Sequence, residues 1–439
     1  MTSPLASAVM PSGADDPSAA AAGALDGPVR VLVVSASMGA GHDGAARELA
    51  SRLVALGHPV EVRDLLEAAP LRLGAALRGA YQLELEHAPA AYDLTYRFWY
   101  RVPWLCPPLA WLVAALTRRR LLAWVAGAGA RVVVSTYPLA TIALGHLRAT
   151  GALSVPAVNF ITDFGVHPMW VHRGIDLNLA VHPAAGRSAA ARSGGPVVPC
   201  GPVVSDDFRP GGDPGGRREA ARQRLGLAAG ERAVLVVAGS WGVGGVMETF
   251  MLVAGDGRFV PVVVCGRDQA LHAAVTRAAT ALAGRSVVLG WTDQMPGLMA
   301  ASDVLVENAG GLTSLEAMCS GLPVVSFQPI AGHGKENTAA MAAAGVSRLA
   351  PGPAQLLDAL DFLSVPGPAR DAQVAAGRAA FASDAAAHVV EVARRGNAGD
   401  RWAGASGGRR AGASEGRWAG ASGRAGDGGG RRAGDGGGR

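Results

Sequence analysis

One lysine, Lys335, stands in a chain of 439 residues whose other basic side chains, histidine aside, are all arginine. Charged residues make up 17% of the chain, and the formal net charge of +5 is spread along it except for a cluster of arginines in the tail. A nucleic-acid partner needs basic residues gathered on one face, and none is gathered here, so that class is set aside. The sign of the charge suits contact with an anionic lipid surface. Cysteine is scarce as well. Cys106, Cys200, Cys265 and Cys319 form no C-x-x-C pair and have no partnered histidines, which excludes a disulfide framework and a zinc site and reads as reduced thiols of a cytosolic protein. The first 28 residues have no basic start and no continuous apolar core. They read as a disordered leader, and no signal peptide is expected.

Long hydrophobic runs are also missing. The most apolar segment, residues 96–126, is "YRFWYRVPWLCPPLAWLVAALTRRRLLAWVA"; its apolar part holds two prolines and falls short of the roughly 20 residues a spanning helix needs. It concentrates Trp99, Trp104, Trp111 and Trp124 beside Arg97, Arg101 and Arg118 to Arg120. That mixture suits a helix lying in a membrane interface, rings at the headgroups and arginines on phosphate. A buried helix pair with aromatic filling is the other reading.

What is present is alternation. Strand-like runs "VRVLVVSAS", "HPVEVRDL", "RVVVSTYP", "VPAVNFITDF" and "DLNLAVHP" in the first half, and "RAVLVVAGS", "FVPVVVCGR", "SVVLGW", "DVLVENAG" and "LPVVSFQP" in the second, are separated by Ala- and Leu-rich helical stretches. This predicts an α/β protein of two Rossmann-like domains facing across a cleft. The expected boundaries are a leader over 1–28, a first domain over 29–203 carrying the membrane-facing segment 96–126, a Pro/Gly-rich linker over 204–230, and a second domain over 231–369. A terminal helix over 370–395 and a disordered Arg/Gly/Ala-rich tail over 396–439 complete the chain.

The first run ends in a glycine-rich turn, "SASMGAGHDGAARELA". Gly39, Gly41 and Gly44 have the G-x-G-x-x-G spacing of dinucleotide sites, and Asp64 stands where a ribose-binding carboxylate would be. The same turn also arises wherever a strand packs closely on its following helix. His42 inside it is the unusual feature. A second glycine turn, "AGSWGVGG", offers the backbone of Gly239, Ser240, Gly242 and Gly244 to a phosphate. In "VENAGGLTSLEAMCSGLPVV", Gly310 and Gly311 precede a helix. Thr313 and Glu316 there either form a capping box or help hold a diphosphate and its ribose.

Together "SASMGAGHDGAARELA", "STYP", "ITDFGVHPMWVH", "AGSWGVGG" and "ENAGGLTSLEAMCSGLP", in that order between about Val29 and Ala350, resemble the monogalactosyldiacylglycerol synthase and diacylglycerol glucosyltransferase group of glycosyltransferase family 28. The peptidoglycan N-acetylglucosaminyltransferase is a more distant relative. The resemblance implies a GT-B fold, a UDP-sugar donor on the C-terminal domain and a lipid acceptor on the N-terminal one. It assigns donor binding to Gly239, Ser240, Gly242, Arg267, Gly310, Gly311, Thr313, Glu316, His333 and Asn337, with Glu316 on the ribose. It assigns acceptor binding to Gly39, Gly41, His167 and Trp170.

A diphosphate held by amides and a helix dipole can leave without a metal; no metal site or cofactor is expected, and Asp206 and Asp207 read as solvated linker residues. Inverting transfer of a hexose to a lipid hydroxyl such as that of diacylglycerol needs a base, for which His42 and Asp163 are the candidates. Imidazole suits the step, and a carboxylate would orient it or act itself. The place of action implied is the inner face of the cell membrane, held peripherally.

The chain departs from the family near "PIAGHGKENTAAM", where Gly-Gln-Glu followed two residues later by Asn is common. Gly332 and Asn337 are kept, His333 and Gly334 replace Gln and Glu, and Asn308 replaces a lysine. Galactose, glucose and N-acetylglucosamine therefore all stay open. Rival readings are a UDP-N-acetylglucosamine transferase for another acceptor, a nucleotide-sugar epimerase of the same fold, a nicotinamide oxidoreductase, and a non-enzymatic membrane-surface binder. The oxidoreductase leaves the second glycine turn and Glu316 idle, the epimerase leaves the tryptophan-rich segment idle, and the binder leaves His42 and Asp163 idle.

Overall fold

All ten apolar runs become strands, and two three-residue strands join them at sheet edges. The computed structural model describes residues 27–239, 242–282, 284–381 and 383–396, all within one compact unit of the chain. The first sheet holds β1 (Val31–Ser35), β2 (Val60–Asp64), β3 (Val132–Ser135), β4 (Ala157–Ile161), β5 (Leu177–Ala180) and β6 (Val197–Pro199). Its order is β2-β1-β3-β4-β5-β6, every pairing parallel. The second holds β7 (Arg232–Val237), β8 (Phe259–Val264), β9 (Val287–Leu289), β10 (Val304–Glu307), β11 (Val324–Phe327) and β12 (Arg348–Ala350). Its order, β12-β11-β10-β7-β8-β9, is also parallel throughout. Central strands such as β1, β3, β4 and β10 are buried along their whole length. Helices cover both faces of a parallel sheet, and so these strands read as unbroken valine-rich runs without alternation.

In such sheets a ligand crevice opens outside the carboxyl ends of the strands where the order reverses. Those points lie between β1 and β3 in the first lobe and between β7 and β10 in the second. Long helices separate β1 from β3 along the chain. They are α1 (Ala40–Ala55) after β1, and α2 (Leu73–His87), α3 (Pro89–Arg101) and α4 (Cys106–Ala128), which form an excursion between β2 and β3. In the second lobe, α5 (Leu312–Ser320) follows β10 and α6 (His333–Ala343) follows β11.

Three expectations are corrected by the fold. The stretch 204–230 is no plain linker. Asp213 caps a helix over Pro214–Arg224 by accepting from Gly216 N at 2.9 Å. Arg218 then pairs with Asp303 at 2.6 Å, and the buried Arg222 donates to Ala301 O at 2.9 Å. Proline at the first helical position starts this helix, and the arginines tie it to the second lobe. Asp206 and Asp207 are exposed, as expected. The single helix over 370–395 is in fact two, Pro368–Ala379 and Ala385–Arg395. Between them Ser383 N donates to Cys200 O at 3.2 Å, and Asp384 caps the second by accepting from Ala386 N at 3.1 Å. The second helix returns to the first lobe, where Val389 and Val390 share a core with Val31 and Leu49.

The third correction concerns 96–126, which is divided between α3 and α4. Trp104 and Trp111 are exposed at 69% and 59%, whereas Trp99 lines an internal cavity and Trp124 is half-buried beneath the guanidinium of Arg63. Among the described residues no helix is long and apolar enough to cross a membrane. The leader, except its last two residues, and the tail, except Gly396, lie outside the described residues.

Candidate functional site

A cavity of about 780 Å³ opens between the carboxyl ends of the two sheets, within the size range of small-molecule sites. Its first-lobe wall begins at the glycine turn. Gly39, at φ +126°, is the N-cap of α1, so the helix starts at Ala40 and His42 sits in its first turn. The third glycine serves the other lobe. A side chain at Gly44 would collide with Cδ2 of Leu312, the first residue of α5. This glycine lets the His42 helix and the α5 start approach each other, which answers the spacing without a dinucleotide. Asp64 is likewise structural: it caps a short helix through Leu66 N at 2.8 Å, receives Ser37 N at 3.4 Å and pairs with Arg78.

His42 is fixed from beyond β3. Its Nδ1–H donates to the carbonyl oxygen of Thr136 at 3.0 Å, with Thr162 Oγ1 at 3.3 Å. Tyr137 meets the ring edge-on, and Trp170 lies tilted across it. With Nδ1 committed as donor, Nε2 carries the lone pair that can accept a proton. Asp163 is not the group that orients this histidine. Its Oδ2 accepts the indole N–H of Trp170 at 2.9 Å, so the carboxylate orients the tryptophan, and two threonines do what was expected of it. Asp163 and Trp170 line the same cavity as His42, as do Gly39 and Gly41.

His167 also lines it but is held on both nitrogens. Nδ1 accepts from Met169 N at 3.3 Å, and Nε2–H donates to Tyr96 O at 3.1 Å. Burial pushes this imidazole down to about 4, and it does the same to His172, whose Nδ1 accepts from Gly174 N. Both are neutral supports of the loop that follows β4.

The second-lobe wall is made by the ends of β7 and β10. Gly239, at φ +65°, faces the cavity. Gly242, also in the left-handed region, packs where a side chain would meet Asp268. Ser240 lies outside the described residues. Arg267 is exposed, its guanidinium stacked 4.2 Å from the ring centroid of Trp291, and only the tryptophan reaches the cavity. At β10 the buried Glu307 shapes the turn: Oε2 accepts from Ala309 N at 2.7 Å and Gly310 N at 2.5 Å, and Ser326 Oγ donates to Oε1. Gly310, at φ +64°, has no room for a side chain beside Cβ of Asn337 at 2.7 Å.

Gly311 is the N-cap of α5, without a side-chain cap bond. Of the two readings of Thr313, the cap is ruled out; glycine's extended backbone takes that position, and the amides of Leu312 and Thr313 have no intrahelical acceptor. Glu316, one turn in, faces the cavity with Gly311 and Thr313. The packed surroundings push its carboxyl up to about 8, and among the described residues it finds no hydrogen-bond partner.

These shifts predict how stability responds to acid. Below pH 6.5 the unfolded chain protonates histidines that the fold keeps neutral until about 4, so His167 and His172 each cost up to roughly 3 kcal/mol as pH falls through that window. Glu316 works in the opposite sense: the fold keeps it protonated up to about 8, whereas the unfolded carboxyl ionises from near 4.5. Two groups outweigh one. The unfolding free energy in urea is expected to fall from pH 6.5 to 4.5, and more steeply in Glu316→Gln; a flat or rising profile contradicts the assignment.

The remaining predicted donor residues sit at the start of α6. His333 lines the cavity, its Nδ1 3.0 Å from the phenol of Tyr92, and burial lowers its pKa. Asn337, expected to read the sugar, lines the cavity and is also held by the protein. Its Oδ1 accepts from Gly165 N at 2.8 Å and its Nδ2 donates to Ala309 O at 3.4 Å, which joins the lobes. Thr136, Thr162 and Glu307 were missed from sequence. Only Glu307 left a signal there, a carboxylate closing an apolar strand.

The sequence model of the family described as monogalactosyldiacylglycerol (MGDG) synthase matches residues 42–204. A processive diacylglycerol β-glucosyltransferase of Bacillus subtilis (strain 168) is 25% identical over 331 residues, covering 70% of this chain and 80% of the relative. One from Bacillus thuringiensis (strain Al Hakam) is 24% identical over 325 residues, covering 70% and 78%. Among solved structures, MurG of Acinetobacter baumannii superposes with a TM-score of 0.50 at 16% identity, covering 84% of this chain and all of that one. The glycotransferase of kitacinnamycin gives 0.54 at 17%, covering 84% and 99%. These likenesses carry the GT-B fold. The chain is a glycosyltransferase, similar to the monogalactosyldiacylglycerol synthase and diacylglycerol glucosyltransferase group.

Proposed function

We propose that the protein transfers a hexose from a UDP-sugar to diacylglycerol with inversion at the anomeric carbon, at the surface of the cytoplasmic membrane. The observation that carries this reading is that one cavity has His42 on its first-lobe wall and the Gly311-capped helix start with Glu316 on the other. The free amides at the start of α5, with the positive end of its dipole, suit the distal phosphate, and Gly239 backbone suits the diphosphate. Ribose hydroxyls donate to Glu316. The acceptor hydroxyl enters from the His42 side, gives its proton to Nε2 and attacks the anomeric carbon opposite the leaving UDP. In this reading no metal ion is required, because amides and the helix dipole meet the charge that develops on the diphosphate. The relatives' name specifies a β-glucoside, the product that inversion yields from an α-linked UDP-glucose. The reading is tested by incubating purified protein with UDP-glucose, UDP-galactose and UDP-N-acetylglucosamine and diacylglycerol-containing vesicles, then weighing the extracted lipids; glucosylated diacylglycerol supports it, and no glycolipid with any donor sinks it.

The surface reading rests on where apolar side chains are exposed. Leu94, Phe98, Trp104, Trp111, Leu112 and Leu116 all point outward on α3, α4 and their connection, beside Arg97, Arg101 and Arg118 to Arg120. Concentrated exposed apolar surface rimmed with arginine marks a docking face for anionic lipid. Trp104→Ser with Trp111→Ser is expected to weaken sedimentation with anionic phosphatidylglycerol vesicles by about tenfold or more while UDP binding is kept. Unchanged sedimentation rules this face out as the lipid contact.

A further inference from the structure

One face of α3 is turned inward and grips the other lobe. Tyr92, Tyr96 and Tyr100 recur every four residues, so they stand in one row along the helix. Tyr92 meets His333. Tyr96 donates to Glu336 Oε2 at 2.5 Å, and Tyr100 donates to Oε1 of the same carboxylate. Between the first two tyrosines, Asp93 Oδ1 accepts from Gly332 N at 3.0 Å and lies 3.3 Å from Nζ of Lys335, the one lysine of the chain. Every residue gripped lies within 332–336, the turn that begins α6.

The fit is close on the partner side as well. A side chain at Gly332 would run into the rings of Tyr92 and Tyr96, and one at Gly165 would lie 2.5 Å from Cγ of Glu336. Burial, with Glu336 beside them, holds the Tyr96 and Tyr100 phenols far above their ordinary range, so both stay donors. Hydrogen bonds to a carboxylate are among the stronger ones. Both oxygens of Glu336 are so occupied, and the Asn337 amide, which also lines the cavity, spans Gly165 and Ala309. His333 is the side chain of this turn left at the cavity.

We propose that α3 is an interlobe clasp in which Tyr96 and Tyr100, acting through Glu336, are positioning residues that seat His333 over the sugar half of the donor. The inference rests on the UDP-sugar reading for its consequence in turnover, though the clasp is structural whatever the substrate. It also gives α3 two duties on opposite faces, since Leu94 and Phe98 point outward from the same helix whose tyrosines point in. Closure of the cleft and seating on a lipid surface are then carried by one rigid element.

The test is Tyr96→Phe with Tyr100→Phe, which keeps both rings and removes both hydroxyls. Deuterium uptake by the peptide spanning 332–343 is expected to quicken about tenfold or more. The Kd for UDP should stay within about twofold, since its contacts lie elsewhere, while kcat for transfer falls about tenfold or more. A general loss of structure would shift UDP affinity and exchange across the whole chain, which separates it from a positioning role. Glu336→Gln, which keeps one accepting oxygen, should fall between wild type and the double variant, and it carries the same test should the double variant not fold. Wild-type exchange over 332–343 together with wild-type kcat overturns the clasp. If the wild-type protein transfers no sugar from any UDP-sugar, the functional reading fails while the exchange experiment still decides the clasp.

Discussion

Replacing His42 by alanine is expected to lower kcat by at least about a hundredfold with UDP binding intact, the range a positioned general base supplies. In the proposed mechanism this residue takes the acceptor's proton. Its Nδ1 is committed to the Thr136 carbonyl, which fixes the tautomer and leaves Nε2 as the basic nitrogen. Asp163, the rival base, accepts the indole of Trp170, so Asp163→Asn should act by loosening that ring against His42 and cost less than the histidine change. The two are compared in steady-state transfer assays with UDP affinity measured separately. Near-normal turnover in His42→Ala would reject the role. An equal loss of UDP affinity would place the histidine in the donor site instead.

Glu316 carries the second large effect. Its carboxyl is pushed up to about 8 by burial, so near neutral pH it is mostly protonated, while ribose hydroxyls are best received by the ionised form. In the proposed binding mode, UDP binding is then expected to release a proton. The affinity, corrected for the nucleotide's own titration, should rise with pH by up to about tenfold per unit below 8 and level off above it. Titration calorimetry in buffers of different ionisation enthalpy should count close to one proton released per UDP near pH 7. Glu316→Gln should weaken UDP by about tenfold or more, as expected for loss of a hydrogen bond to a charged group, and abolish both the slope and the proton. A pH-independent affinity in the wild type would remove the carboxylate from the ribose.

Most strands were legible because parallel strands buried on both faces are largely apolar, although the edge strand β2 mixes Val60 and Val62 with Glu61, Arg63 and Asp64. β6 and β12 were not, being three-residue edge strands within "GGPVVPC" and "VSRLAPG". The break near Phe381 was hidden by alanines on both sides, although Ser383 and Asp384 are the residues that begin a helix. At the site, positions whose backbone or charge is the message were readable: Gly39 and His42 in a glycine turn, Gly311 before a helix, Glu316 one turn into that helix. Partners were not. Nothing local in "STYP" says that Thr136 offers its carbonyl to a histidine 94 residues earlier, nor that Gly44 makes room for Leu312. The bonds by which Asn337 joins the lobes were hidden for the same reason, because its two partners come from distant loops. The tyrosines at 92, 96 and 100 did announce a helical row, but what they grip is set by the approach of two lobes that sequence spacing does not encode.

The most direct measurement is a crystal structure of the protein with UDP bound. The expected result has the distal phosphate at the amides beginning the helix Leu312–Ser320, the ribose on Glu316, and His42 Nε2 facing the open end of the diphosphate across the cavity. Nucleotide bound away from α5, or His42 turned from it with Thr136 released, would contradict the proposed mechanism.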